Sequence, residues 1–138
     1  MTPNEEAYQE LCYYTLAHQS PTFVHQHVVD AFAAQRANEQ MKPIKLTFAL
    51  VGLYLHLERQ FSGREVQRAH MTLARQKRAW PKFQLPATRG TMDASNVLAA
   101  PAGPARDVAI DAWCAAVWEA YEGSRRAVIE LVKHNGVG

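Results

Sequence analysis

Residues 43–60 read PIKLTFALVGLYLHLERQ, and this stretch decides the fold. Pro43 stands where the first turn of a helix tolerates a missing N–H. Behind it Ile44, Leu46, Phe48, Leu50, Val51, Leu53, Leu55 and Leu57 go nearly all the way round a helical wheel. Such a helix is usually buried on most sides, so the pattern predicts a central helix, with a dimer interface as the alternative. Thr47, Gly52 and His56 interrupt the run. It falls short of the roughly 20 apolar residues that cross a bilayer.

On either side the apolar residues keep helical spacing, with no sustained strand-like alternation. A first helix is expected over 4–17, with Asn4 as cap, Glu5 and Glu6 on the positive end of the dipole, and Tyr8, Leu11, Cys12 and Thr15 inward. A second starts near Pro21 and Thr22 and carries Val24, Val28, Ala31 and Gln35 along one face. Ser62 and Glu65 form a capping-box pattern for a fourth helix over 63–79. Asp93 can cap a short helix through Val97 and Leu98. The last and longest helix is expected over 106–134, striped by Ile110, Trp113, Cys114, Val117, Tyr121, Val128 and Leu131, with Gly136 just past its end. Pro81, Pro86, Pro101 and Pro104 punctuate the connections. The expectation is one all-α domain over 1–138, a compact bundle of about five helices around helix 43–60.

The chain has 138 residues, 48% hydrophobic and 20% charged, with a net charge of +2. That is enough apolar material for a core, which excludes a disordered chain. Cys12 and Cys114 lie far apart, which excludes a disulfide-stapled miniprotein and fits a reducing compartment. The start, MTPNEEAYQE, lacks the basic and then apolar pattern of a signal peptide. A cytoplasmic protein without membrane attachment is expected. The near-neutral balance does not call for nucleic acid as a partner.

No phosphate-binding loop, dinucleotide glycine pattern, nucleophile elbow, His-Glu-x-x-His or Cys-x-x-Cys occurs. Candidate chemistry therefore rests on side chains placed by the bundle. His25 and His27 are two apart, so on a helix they project about 200° from each other and cannot close on one ion. His27 and Asp30 are three apart and can be neighbours. Glu58 falls on the same side of its helix as Val51 and Leu55, and His70 lies on the inward stripe with Val66 and Leu73. Gln35 is a third polar group on an apolar stripe. Buried ionisable groups need partners, and bundles build metal sites from facing helices. The plain alternative is a hydrogen-bonded network that fixes helix register. Separately, Arg64, Arg68, Arg75 and Arg78 share one sector of the fourth helix, with Trp80 close by. That stripe suits phosphates, or is simply a solvated face.

Three segments carry a resemblance: FVHQHVVDAFAAQ at 23–35, GLYLHLE at 52–58 and WCAAVW at 113–118. Together they resemble a bacterial family of small helical proteins known only as a domain of unknown function, over about residues 8–131. The most specific element is the pattern His25, Val29, Asp30, Ala31, Phe32, Gln35; Glu58 and the turn from Asp93 to Ala99 also match. Many members carry an N-terminal cysteine cluster resembling a metal knuckle. This sequence holds no such cluster, so a zinc role attached to it does not carry over. The resemblance implies a helical fold and favours His25 over His27, against the geometric reading.

The preferred expectation is an internal polar site lined by His25 or His27, Asp30, Gln35, Glu58 and His70. It would bind a divalent metal or a small polar ligand, with the histidines and carboxylates as ligands or as an acid–base pair. A homodimer or interaction module with structural polar residues is the second expectation. A weak anion or nucleic-acid binder acting through the arginine stripe is the third.

Overall fold

The computed structural model describes residues 1–18, 20–76 and 79–137, and in them the chain is all-helical. Its elements are α1 (Pro3–Ala17), α2 (His25–Gln35), α3 (Pro43–Arg59), α4 (Gly63–Ala74), α5 (Ala94–Ala99), α6 (Pro104–Ala120) and α7 (Arg125–His134), with a 3₁₀ turn at Glu122–Ser124 before α7. The described helices thus number seven rather than about five. The difference lies mainly at the C-terminal end, where the single helix expected over 106–134 is two. Gly123 disfavours helix by about 1 kcal/mol relative to alanine. The Tyr121 hydroxyl donates to the Ala34 carbonyl oxygen at 2.6 Å and fixes the end of α6 against α2. After the turn, α7 packs on α3, whereas α6 packs on α2, α3 and α5. One straight helix could not cover both faces.

Local chemistry sets the other boundaries. Thr2, not Asn4, caps α1: its hydroxyl accepts from the Glu5 N–H at 3.1 Å. Asn4 Oδ1 instead accepts from the Ala94 N–H at 3.0 Å, which ties α1 to α5. The second helix starts later than Pro21 because Phe23 has φ +59°, a left-handed conformation no helix interior accommodates. There the Thr22 carbonyl accepts from the Arg64 N–H at 2.9 Å. A Cβ on Gly63 would lie 1.8 Å from the Phe23 carbonyl oxygen, so glycine alone fits that crossing. The capping box at Ser62 and Glu65 is present, as is one at Asp93 and Asn96. Helix α4 ends at Ala74 rather than 79, since its apolar stripe stops at the buried Leu73 and further turns would gain no burial.

Helix α3 is central: Ala49 to Leu55 are all buried, and α2, α4, α6 and α7 surround it. It ends at Gln60 in a left-handed conformation, φ +54°. The Phe61 N–H closes this turn on the Leu55 carbonyl at 2.9 Å. No described helix is long and apolar enough to cross a membrane.

Candidate functional site

Each of the six polar residues singled out in the sequence is held by a partner outside that set. His25, half-buried at the start of α2, pairs its Nδ1 with the Thr15 hydroxyl at 2.9 Å. Gln35 donates to the carbonyls of Met92 (2.6 Å) and Arg89 (3.1 Å), and its Oε1 accepts from Trp113 Nε1 at 3.0 Å. Glu58 reaches the surface, where it accepts from Trp118 Nε1 at 2.8 Å and from the Arg125 guanidinium at 2.8 and 2.5 Å. The Arg125 bonds hold its carboxyl below the usual range. His70 bonds the Phe48 carbonyl at 2.7 Å through Nε2 and stacks on the Phe48 ring. These four brace one helix against another element.

Gln35 makes the clearest case for a bracing role. Gln35→Leu would strip hydrogen bonds from the Trp113 indole and two carbonyls. A loss of about 1–2 kcal/mol is expected, read as a lower urea midpoint at unchanged slope. An unshifted midpoint would refute the bracing role.

The other two residues, Asp30 and His27, are buried on α2 and lack full satisfaction. Asp30 accepts from Gln26 Nε2 at 3.1 Å through Oδ1, while its enclosed Oδ2 has no hydrogen-bond partner. It occupies space that Gly52 of α3 leaves open: a Cβ there would fall 1.9 Å from Oδ2. Burial pushes the Asp30 carboxyl well above the ordinary carboxylate range, and the Gln26 bond opposes this only in part.

His27 is only 4% exposed, and its Nδ1 also has no partner. Its ring stacks on His56 of α3, centroids 3.5 Å apart and planes 14° from parallel. His56 turns both nitrogens to acceptors, Nε2 to Asp111 Oδ1 at 2.9 Å and Nδ1 to the Phe61 carbonyl at 3.3 Å. Burial, with the adjacent His56 adding to it, pushes His27 down to about 3, so its ring is neutral near pH 7. The His56 bond in turn lowers Asp111.

His27, His56 and Asp111 form part of the wall of a cleft of about 540 Å³ where the start of α2, the end of α3, the start of α4 and α6 meet. Glu65 and Asp107 add carboxylates to the lining; Val24, Leu57 and Phe61 add apolar surface. Sequence reasoning missed His56 and Asp111. The available signal is an imidazole inside the apolar run of α3, where it reads only as an interruption.

Among the described residues no group of three or more His, Cys, Asp or Glu side chains is arranged to hold a metal ion. The stack explains this locally, since ring lone pairs lie in the ring planes and two nearly parallel rings do not converge on one ion. Cys114 offers no nucleophile: it is fully enclosed, and burial raises its thiol well above the ordinary range. On the basic face of α4, the Arg64 guanidinium lies 4.7 Å over the Phe23 ring and donates to Gln67. Arg68 and Arg75 are exposed, and Arg78 lies outside the described residues.

A family model matches residues 5–122, under the description family of unknown function (DUF5946). No curated protein and no solved structure matches the chain.

Proposed function

The chain belongs to DUF5946, a family of unknown function, and from its own geometry we propose that the cleft binds a small polar ligand through His27, His56 and Asp111. One observation carries this reading: the cleft gathers the stacked His27 and His56 rings and the Asp111 carboxylate beside the apolar Val24, Leu57 and Phe61. Apolar surface beside a few convergent polar groups is the usual make-up of a small-molecule site. The arrangement suits recognition better than acid–base chemistry. Both nitrogens of His56 are already directed at acceptors, and a neutral His27 titrating near 3 is a weak base.

The test follows the ring C–H resonances of His27 and His56 by NMR while n-butylamine, 1-butanol and butyrate are each added to about 10 mM, a range that detects weak binding. Saturable shifts in both rings are expected with at least one probe. His27→Phe keeps an aromatic ring for the stack and removes the nitrogen, and should weaken that probe about tenfold. Rings that stay unmoved by all three probes, or an undiminished affinity in His27→Phe, would overturn the reading.

A further inference from the structure

The near-neutral total charge conceals a segregation along the chain. Residues 42–80 hold eight Lys and Arg against two acidic side chains, while the rest of the chain holds seven against eleven. The fold gathers part of this excess at one end of a helix pair. Helices α3 and α4 run antiparallel, with Val66 against Gly52 and His70 Nε2 on the Phe48 carbonyl at 2.7 Å. One more turn of that pairing brings Arg75, at the end of α4, to the start of α3, where Lys42 and Lys45 stand. Arg68 lies two turns back along α4. All four are exposed, and none forms an ion pair among the described residues. The acids nearest in sequence are engaged elsewhere: Glu39 pairs with Lys82, and Glu65 accepts from the Ser62 N–H. We propose that this surface binds single-stranded nucleic acid, with phosphates on Lys42, Lys45, Arg68 and Arg75 and a base on Trp80.

The second, independent observation is aromatic. The Trp80 ring meets Phe48 edge-on, centroids 5.5 Å apart and planes at 84°, and Phe48 in turn stacks on His70. Phe48 lies one turn along α3 from Lys45, so these rings sit beside the basic residues. All three are only partly buried, whereas Trp113 and Trp118 belong to the core. Cationic side chains around a partly open aromatic platform suit a single strand, which places phosphates on the charges and bases on the rings. A double helix keeps its base faces stacked inward and offers none to Trp80. An anionic membrane surface would satisfy the charges but also calls for apolar side chains to insert. Of the large hydrophobic side chains exposed among the described residues, Met71 alone lies on α4, and none lies on α3.

The experiment offers the intact chain an end-labelled oligothymidylate of about 12 nucleotides, its duplex with oligoadenylate, and phosphatidylcholine–phosphatidylserine vesicles. Anisotropy of the label reads binding. Tryptophan emission reads stacking, since Trp80 is the most open of the three tryptophans. The single strand should bind at low salt and quench the emission. With four phosphate contacts, log affinity should fall with log salt at a slope of about −3. Arg68→Gln/Arg75→Gln, altered only at exposed positions, should halve that slope. Trp80→Leu keeps apolar contact with Phe48, and should weaken binding about tenfold and abolish the quench. No binding of the single strand at low salt would overturn the proposal, and vesicles bound in its place would assign the surface to membranes. A salt slope unchanged in the arginine variant would remove those phosphate contacts. The same variant decides the proposal if Trp80→Leu does not fold. A duplex bound as tightly as the single strand, or a quench that persists in Trp80→Leu, would overturn the base contact.

Discussion

Gly52→Ala should destabilise the protein by about 3 kcal/mol, although alanine is the better helix former. Two effects compete. Replacing glycine within an α-helix by alanine ordinarily gains about 1 kcal/mol. Here the added Cβ would lie 1.9 Å from Asp30 Oδ2, 2.7 Å from its carboxyl carbon and 3.2 Å from Val66 Cγ1. Asp30 and Val66 are both buried, so the carboxyl group has no open space to turn into. Overpacking of this kind costs several times the propensity gain. The physical cause is separable by a double-mutant cycle. In an Asp30→Ala background the obstructing carboxylate is gone, and Gly52→Ala should then stabilise by about 0.5–1 kcal/mol. Urea unfolding of the four proteins measures both values. A Gly52→Ala loss of the same size in both backgrounds would show that something other than Asp30 makes glycine necessary.

Gly52 also marks how far the sequence can be read. Helix α3 is legible because its apolar side chains encircle it, and the two capping boxes, at Ser62 and Asp93, are local patterns of a few residues. The close approach of α2 to α3 is not local. A glycine in the middle of an apolar helix was a sign of it, but periodicity along one helix says nothing about which residue faces the gap. Asp30 reads as a neighbour of His27 by its i, i+3 spacing, yet it is seated against Gly52. Glu58 shares a side with Val51 and Leu55, but at the last turn of α3 that side opens toward Trp118 and Arg125. The cleft is less legible still, because it is assembled from the ends of three helices and one face of α6. Its key pair, His27 and His56, is joined only by the crossing of α2 and α3. The break at Gly123 shows the same limit. A single stripe from Ile110 to Leu131 fits one helix, and what the stripe does not show is that α6 packs on α2 and α5 as well as α3 while α7, past the turn, packs on α3.

Two buried titratable groups on α2 should give the stability a pH dependence of opposite sign at each. For His27 the folded ring titrates near 3, against an ordinary value of about 6.5 in the unfolded chain. Between these limits the unfolded chain binds a proton that the fold excludes. The His27 contribution is therefore complete above about pH 6.5 and is lost as the pH falls toward 3. The slope is about 1.4 kcal/mol per unit, amounting to something on the order of 5 kcal/mol. Burial also lowers His25 and His70, so they act in the same direction. Asp30 works against them. Its folded carboxyl keeps its proton well above the ordinary range, so above about pH 4 it is the fold that binds the extra proton. The Asp30 contribution is present at low pH and lost as the pH rises toward its folded value. Between about pH 4 and 6.5 the two slopes offset each other, and the wild-type profile hides both. Single substitutions should expose them. Relative to wild type, His27→Phe should gain stability as the pH is lowered from 6.5. Asp30→Asn, which mimics the protonated acid, should gain as the pH is raised from 4, by about 1.4 kcal/mol per unit while the wild-type carboxyl stays protonated. Urea midpoints from pH 4 to 8 give both differences. A His27→Phe difference that does not change with pH would mean the ring takes up its proton in the folded state. A flat difference for Asp30→Asn would mean its carboxyl ionises as it does in the unfolded chain.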